Sequence, residues 1–344
     1  MQVGLVTGKE QLTLVEMPDP EPAPGKAVVD VALCGICGTD IHAFQSGEPY
    51  NPAICGHEWM GNVSGVGANV SLKEGDRVAI GMTTACGQCS TCVRGDPSHC
   101  ESAFMGMIGA GPLAAPHGGF ASAIAIDAGR LYPVDVDISD AAAAMLEPVT
   151  IAVHAVRRTG IRLGDSVVVL GAGPIGLLVL QCARAAGAGV CILVEPQDAR
   201  RELGTAVGAD HTINPKETTD IAGAINAIVG NAGADIVFEC AGISRTVEQA
   251  PGYVRRGGTV ALVGVPTAPS QFMAAEWLFK ELRVSTALGY LRDDFEVSKG
   301  LVADGRVQCA PLHTSTVGLD GLAGAFAELA SESEQVKVLV DPRL

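Results

Sequence analysis

The chain has 344 residues, 48% of them apolar, a length that exceeds one ordinary core and suits two domains. A formal net charge of −15 repels a phosphate backbone and sets nucleic-acid binding aside, and 4% aromatic content leaves little for base- or sugar-stacking platforms. No basic leader followed by a long apolar run is visible and no apolar stretch reaches the roughly 20 residues of a membrane span, so a cytoplasmic protein without membrane attachment is expected.

The first 150 residues carry short β-type runs, Lys26–Leu33, Gly61–Val66, Arg77–Ile80 and Phe120–Ile126, separated by turn signals such as Met17-Pro-Asp-Pro and Glu74-Gly-Asp. This pattern predicts a barrel-like, mostly β unit. Within it lie three stretches with chemistry: Cys37-Gly-Thr39-Asp40-Ile-His42, Gly56-His57-Glu58-Trp-Met-Gly61 and, at its end, Glu147-Pro148. Thiolate, imidazole and carboxylate together suit Zn²⁺, although each residue alone reads equally well as packing or surface. Cys34-Gly-Ile-Cys37 also allows a redox pair, with Cys34 otherwise a packed residue at a strand end.

Next comes Cys86-Gly-Gln-Cys89-Ser-Thr-Cys92, then seven residues and Cys100. Four thiolates so close in sequence suit a closed tetrahedral zinc with no open position, hence a structural one; an iron–sulfur cluster is the rival. Cys55, Cys182, Cys191, Cys240 and Cys309 carry no spacing signal.

From Asp140 the texture changes. Ala141–Ala144 and Thr150–Arg158 read as helix behind a Ser139 or Asp140 cap. Then strands and helices alternate: Val167–Leu170, Ile175–Ala186, Val190–Val194, Asp198–Val207, Ile236–Glu239 and Val260–Gly264. Such alternation predicts a doubly wound parallel sheet, an α/β fold. Its first turn is Gly171-Ala-Gly173-Pro174-Ile175-Gly176, in strand–turn–helix context, which suits a pyrophosphate; Gly109-Ala-Gly lacks both the third glycine and the preceding strand and reads as a flexible loop. Glu195 ends the next strand, where a carboxylate accepts ribose hydroxyls and repels a 2′-phosphate, favouring NAD. Arg200 and Arg201 follow closely and keep NADP open.

These motifs, in this order, resemble the zinc-containing medium-chain dehydrogenase/reductase family over essentially the whole chain. The G-H-E-x-x-G signature runs on through Gly65, Gly67 and Val70, and the four-cysteine lobe and the glycine loop follow it. The resemblance implies a GroES-like catalytic domain over 1–150 and 291–344 and a Rossmann domain over 151–290. It implies two zinc ions per chain, one catalytic and one structural. It places the catalytic zinc on Cys37 and His57, with Glu58, Glu147 or water completing the shell. Glu147 stands where primary-alcohol enzymes carry cysteine. That points to the polyol, butanediol and threonine dehydrogenase branch, as do a Lys280–Val284 strand and the Tyr290–Phe295 run.

The implied activity is reversible hydride transfer between NAD and a secondary alcohol, diol or polyol, the proton leaving through Thr39, a cofactor ribose hydroxyl and His42. Asp40 is expected to orient His57. Further cofactor contacts fall on Val263 and Leu288. The alcohol or ketone is expected in a largely apolar cleft between the domains, with Trp59, Phe44 and the 105–113 loop as candidate lining. A homodimer or homotetramer is implied. An NADP-linked carbonyl or sugar reductase and a non-catalytic NAD-binding relative are the alternatives.

Overall fold

The computed structural model describes residues 1–82, 84–109, 115–230, 232–331 and 333–344. The chain divides into two compact units, 1–147 with 291–299 and 313–344, and 148–290 with 300–312.

In the first unit β1 (Gln2–Gly8) and β2 (Gln11–Glu16) form a hairpin. Then follow β3 (Lys26–Gly35), α1 (Gly38–Ser46), β4 (Glu58–Val66), β5 (Arg77–Ile80), α2 (Ser90–Val93), α3 (Glu101–Met107), β6 (Ala123–Asp127), β7 (Leu131–Pro133) and α4 (Asp140–Ala144). The helix α5 (Leu146–Thr159) leads into the second unit. That unit runs β8 (Ser166–Leu170), α6 (Pro174–Ala185), β9 (Val190–Val194), α7 (Asp198–Ala206), β10 (His211–Ile213), α8 (Ile221–Val229), β11 (Ala234–Glu239), α9 (Ser244–Tyr253), β12 (Val254–Leu262), α10 (Ala274–Lys280) and β13 (Arg283–Thr286). After α11 (Arg292–Ala303), β14 (His313–Val317), α12 (Leu322–Leu329) and β15 (Lys337–Val340) belong to the first unit again.

The first unit's large sheet has seven strands, β14-β15-β3-β4-β5-β7 with β6 on β3. The strand β3 organises it, being antiparallel to β4, β6 and β15. Its alternation of Val, Ala and Leu buries nearly the whole strand, as a strand with neighbours on every side requires. The core is built mostly of small branched residues. Its aromatic centre is a trio in which Phe326 meets Phe44 and Phe120 edge-on, centroids 5.5 and 5.8 Å apart. Ser139 is the cap of α4: its Oγ accepts the Ala142 N–H at 3.3 Å.

In the second unit six strands lie in the order β10-β9-β8-β11-β12-β13, every pair parallel. The chain winds outward from β8 in one direction, then from β11 in the other. The carboxyl ends of β8 and β11 therefore form the topological switch at which such sheets bind ligands. The Val-rich interior of β8 and the Leu177–Leu180 run of α6 are fully buried against each other's layer. No helix among the described residues is long and apolar enough to cross a membrane.

Several boundaries differ from the sequence expectation. The helix expected at Thr150 starts at Leu146, because Pro148 falls in its first turn, where no intrahelical N–H is required. The expected Lys280–Val284 strand is divided: Lys280 closes α10, Glu281 turns through a left-handed conformation, and the strand starts at Arg283. Residues 300–312 belong to the second unit and not, as expected, to the first.

Candidate active site and metal centres

Cys37 is the N-cap of α1, directly after β3. His57 and Glu58 sit where the chain enters β4. One donor atom from each of these three residues lies within 4.8 Å of the others, as a single cation requires. His57 Nδ1 lies 2.9 Å from the Ile54 carbonyl oxygen, so an N–H there leaves Nε2 as the ligand nitrogen. Glu147 is not in this tight trio. Its negative charge nevertheless reaches both His57 and Lys337. Burial alone would lower the His57 imidazole, but the Cys37 thiolate, Asp40 and Glu147 outweigh it and hold the ring well above the ordinary histidine range. A thiol, an imidazole and a carboxylate converging within 4.8 Å have the donor chemistry for a divalent cation.

Asp40 does not orient His57 as expected. Its Oδ1 is 3.9 Å from His57 Nδ1, beyond hydrogen-bond range. Instead the fully buried carboxylate accepts the Tyr50 hydroxyl (2.7 Å) and Gly56 N–H (3.2 Å) on Oδ1 and the Cys37 N–H (3.1 Å) on Oδ2. It therefore fixes the backbone carrying Cys37 and His57, since a capping residue at the third helical position reaches back to the cap. Thr39 and His42, three residues apart and hence on one face of α1, are both exposed. Thr39 Oγ1 lies 3.7 Å from Cys37 Sγ. Desolvation lowers the His42 pKa below the usual imidazole value.

A group that the sequence did not single out completes the centre. Lys337, on β15, points its ammonium at Glu58 Oε2 (2.5 Å) and the Ile36 carbonyl (3.0 Å). Its side chain is 1% exposed and that of Glu58 2%. Burial alone would lower the Lys337 pKa; Glu58, Cys37 and Glu147 raise it instead. Gly35 makes the meeting possible: it pairs with Glu58 on one side and Leu339 on the other, and a Cβ there would collide with Glu58 Oε2.

The four cysteines Cys86, Cys89, Cys92 and Cys100 also bring their sulfurs within 4.8 Å of one another. Cys89 Sγ and Cys100 Sγ are 3.9 Å apart. A tetrahedron with Zn–S bonds of about 2.3 Å has an edge of about 3.8 Å, so the spacing fits. The Thr91 hydroxyl and backbone N–H groups bring the Cys89 thiol down to about 5, while desolvation and its sulfur neighbours push Cys92 up to about 12. Thiols this close do not all ionise without a cation between them. All eleven cysteines are free, so neither this lobe nor the Cys34–Cys37 pair is a disulfide.

In the second unit Gly171 takes φ +97°, the left-handed turn that favours glycine, and a Cβ on Gly176 would collide with the Gly171 carbonyl. Gly173 caps α6, with Pro174 in the first turn and Ile175 after it, and a Cβ built on Gly173 would meet nothing within 4 Å. That open space before unpaired helix N–H groups fits a pyrophosphate. Glu195 is buried, its Oε2 accepting the Ala172 N–H (2.7 Å) and its Oε1 the Gln197 N–H (3.0 Å). The carboxylate thus braces the glycine turn, and its remaining lone pairs are what a ribose hydroxyl would use. Arg201 donates to the Glu195 carbonyl and pairs with Asp198, and Arg200 is half-buried beside it. Val263 is buried at the end of β12, where its N–H donates to the Glu239 carbonyl; Leu288, beyond β13, is exposed.

Trp59 and Phe44, expected to line a substrate cleft, are core residues of the first unit, 2% and 5% exposed. Their apolar bulk is consumed in packing. Of the 105–113 loop, Met105 and Ile108 are exposed, while 110–113 lie outside the described residues.

Two family models match the chain: an alcohol dehydrogenase GroES-like domain over residues 23–136 and a zinc-binding dehydrogenase over 174–303. A 2-dehydro-3-deoxy-L-galactonate 5-dehydrogenase of Pseudoalteromonas atlantica is 31% identical over 97% of this chain and 96% of its own. The crystal structure of 2R,3R-butanediol dehydrogenase from Bacillus subtilis superposes with a TM-score of 0.86 at 28% identity, covering 99% of both chains. A Sinorhizobium meliloti protein with NADP bound superposes with a TM-score of 0.87 at 30% identity over 99% of both. With the fold, the glycine cradle and both donor clusters in the expected order, the chain belongs to the zinc-containing medium-chain dehydrogenase/reductase family of alcohol and polyol dehydrogenases.

Proposed function

We propose that this oxidoreductase interconverts a secondary alcohol, a diol or polyol foremost, and its ketone, with NAD as hydride acceptor and two zinc ions per chain. The observation that carries the reading is the trio Cys37, His57 and Glu58, with Glu58 buried and the other two half-buried, and with the Glu147 charge acting on it where a second thiolate would otherwise stand. Zinc there would supply Lewis-acid stabilisation of negative charge developing on the alcohol oxygen, and NAD the hydride acceptor.

The chain's own groups do the rest. Cys37, His57 and Glu58 hold the cation, and Asp40 and the Ile54 carbonyl fix their directions. The Thr39 hydroxyl takes the alcohol proton at Oγ1, because a hydroxyl both accepts and donates. His42 holds it at an imidazole nitrogen at the exposed face of α1; its lowered pKa favours passing the proton to solvent. Cys86, Cys89, Cys92 and Cys100 hold the second, structural zinc. Glu195 supports NAD over NADP, since a carboxylate braced against the glycine turn would repel a 2′-phosphate. Free thiols throughout suit a reducing, cytoplasmic setting.

A second copy of the chain is the proposed partner, in a homodimer or homotetramer. The helix α10 buries none of its residues, Leu278 and Phe279 on it are exposed, and β13, the next element in the chain, is an edge strand of the sheet. Phe279→Glu is expected to halve the light-scattering mass, to one chain from a dimer or to two from a tetramer.

The test is nicotinamide reduction by the zinc-replete protein with primary alcohols, secondary alcohols, vicinal diols and polyols, each with NAD and NADP. Preference for secondary alcohols or diols with NAD is expected. Preference for primary alcohols would overturn the substrate class, and preference for NADP would overturn the cofactor reading.

A further inference from the structure

We propose that Lys337 is a positioning residue for the catalytic metal: by gripping one oxygen of Glu58, it leaves that carboxylate a single oxygen for the cation and so keeps a coordination position open for the alcohol. This rests on the zinc reading above and extends it to a residue some 300 positions from Cys37.

The geometry is specific. Glu58 has two carboxylate oxygens. Oε2 is taken by the Lys337 ammonium at 2.5 Å, and Gly35, without a side chain, leaves just the room for that contact. The lysine is held from behind by the Ile36 carbonyl at 3.0 Å and by β15, which lies antiparallel to β3. It has no solvent to retreat to and no other carboxylate at hydrogen-bond distance among the contacts of the described residues. A catalytic site keeps three protein ligands and one open position, whereas a carboxylate released from its partner is free to close on the cation with both oxygens. Charge points the same way. A thiolate and a free carboxylate would cancel the charge of a dication, and a fixed ammonium on the far oxygen restores one positive charge to the centre. A purely structural ion pair would hold β15 to β4 and leave the metal's coordination number alone.

The two roles separate spectroscopically. Co²⁺ in place of Zn²⁺ reports coordination number through its visible d–d absorption, which is intense for four ligands and weak for five. Subtracting the spectrum of Cys37→Ala removes the four-cysteine contribution. Lys337→Met is expected to weaken the difference absorption several-fold and to slow metal release to a chelator, and Lys337→Arg is expected to restore both toward the wild-type values. In a Glu58→Gln background, Lys337→Met should change neither. If Lys337→Met does not fold, Lys337→Gln, which keeps a polar side chain but no ammonium, takes its place in both backgrounds. A wild-type spectrum and release rate in Lys337→Met would overturn the proposal, whatever happens to turnover, as would an equal change in the Glu58→Gln background. No cobalt signal in the wild-type protein beyond the four-cysteine lobe would instead overturn the zinc reading itself.

Discussion

Asp40→Asn is the substitution that probes most sharply how the backbone holds the metal ligands. The wild-type carboxylate accepts three donors: Tyr50 O–H and Gly56 N–H on one oxygen, Cys37 N–H on the other. An amide of the same shape offers one oxygen. If Oδ1 serves Tyr50 and Gly56, the amide NH₂ faces the Cys37 N–H, and two donors confront each other in a fully buried place. The reverse orientation strands two donors. The favoured orientation loses one bond to a charged acceptor and leaves one N–H unpaired, a destabilisation of about 2–4 kcal/mol. The loss falls on Cys37 and on the turn before His57, so metal affinity at that centre should drop about 10–100-fold, as when outer-shell partners of zinc ligands are removed. The assay is chelator competition followed by zinc content, with the four-cysteine lobe as internal reference, alongside denaturant unfolding. Tyr50→Phe, which removes one of the three donors, should fall between wild type and Asp40→Asn in both. Wild-type zinc retention in Asp40→Asn, with stability unchanged, would refute the argument that this carboxylate fixes the ligands.

Thr39→Ala should cut turnover by about 10²-fold or more, the usual contribution of a positioned proton-transfer group, while zinc content stays at the wild-type value; metal analysis beside steady-state kinetics checks it. Glu195→Gln should raise KM for NAD about tenfold, the equivalent of roughly 1.4 kcal/mol, and narrow the gap to NADP, measured with both cofactors. Asp235 joins β8 to β11 and β12, accepting Ser166 N–H (2.8 Å) and Oγ–H (2.7 Å) and Arg255 Nε–H (2.6 Å). Burial alone would raise this carboxyl, but those donors outweigh it and hold it below the usual range. A depressed folded-state pKa contributes stability above the unfolded value of about 4 that is lost as pH falls through the folded value. Asp235→Ala should therefore be less stable than wild type at pH 7, by about 2 kcal/mol, and the difference should shrink below about pH 4; unfolding curves across pH measure it.

What was legible in the sequence is what depends on residues close together in it. The four cysteines within one short lobe, the glycine turn between an apolar strand and an apolar helix, and the strand–helix alternation of the second unit each carry a local spacing that geometry then repeats. Lys337 was not legible. It sits 279 residues from Glu58, in a stretch that reads as an ordinary apolar strand with one cation, and only the antiparallel register of β15 on β3 brings the two together. Asp40 has partners other than the expected His57, because the general habit of carboxylates supporting zinc-binding imidazoles says nothing of which backbone N–H groups the turn at Gly56, 16 residues away, presents. Trp59 and Phe44 are expected as pocket lining from family position alone, yet both are packed in the core of the first unit, where Phe44 meets Phe326. Large apolar side chains give no local sign of which side of a strand or helix is covered.

The most direct test of the central claim is an anomalous difference map of the zinc-loaded crystal, recorded at the zinc absorption edge. Two peaks per chain are expected. One should lie among the four cysteine sulfurs. The other should lie at about 2.0–2.3 Å from Cys37 Sγ, His57 Nε2 and one oxygen of Glu58. A single peak at the four cysteines, or a second peak bound by Glu147 with Glu58 turned away, would contradict the account.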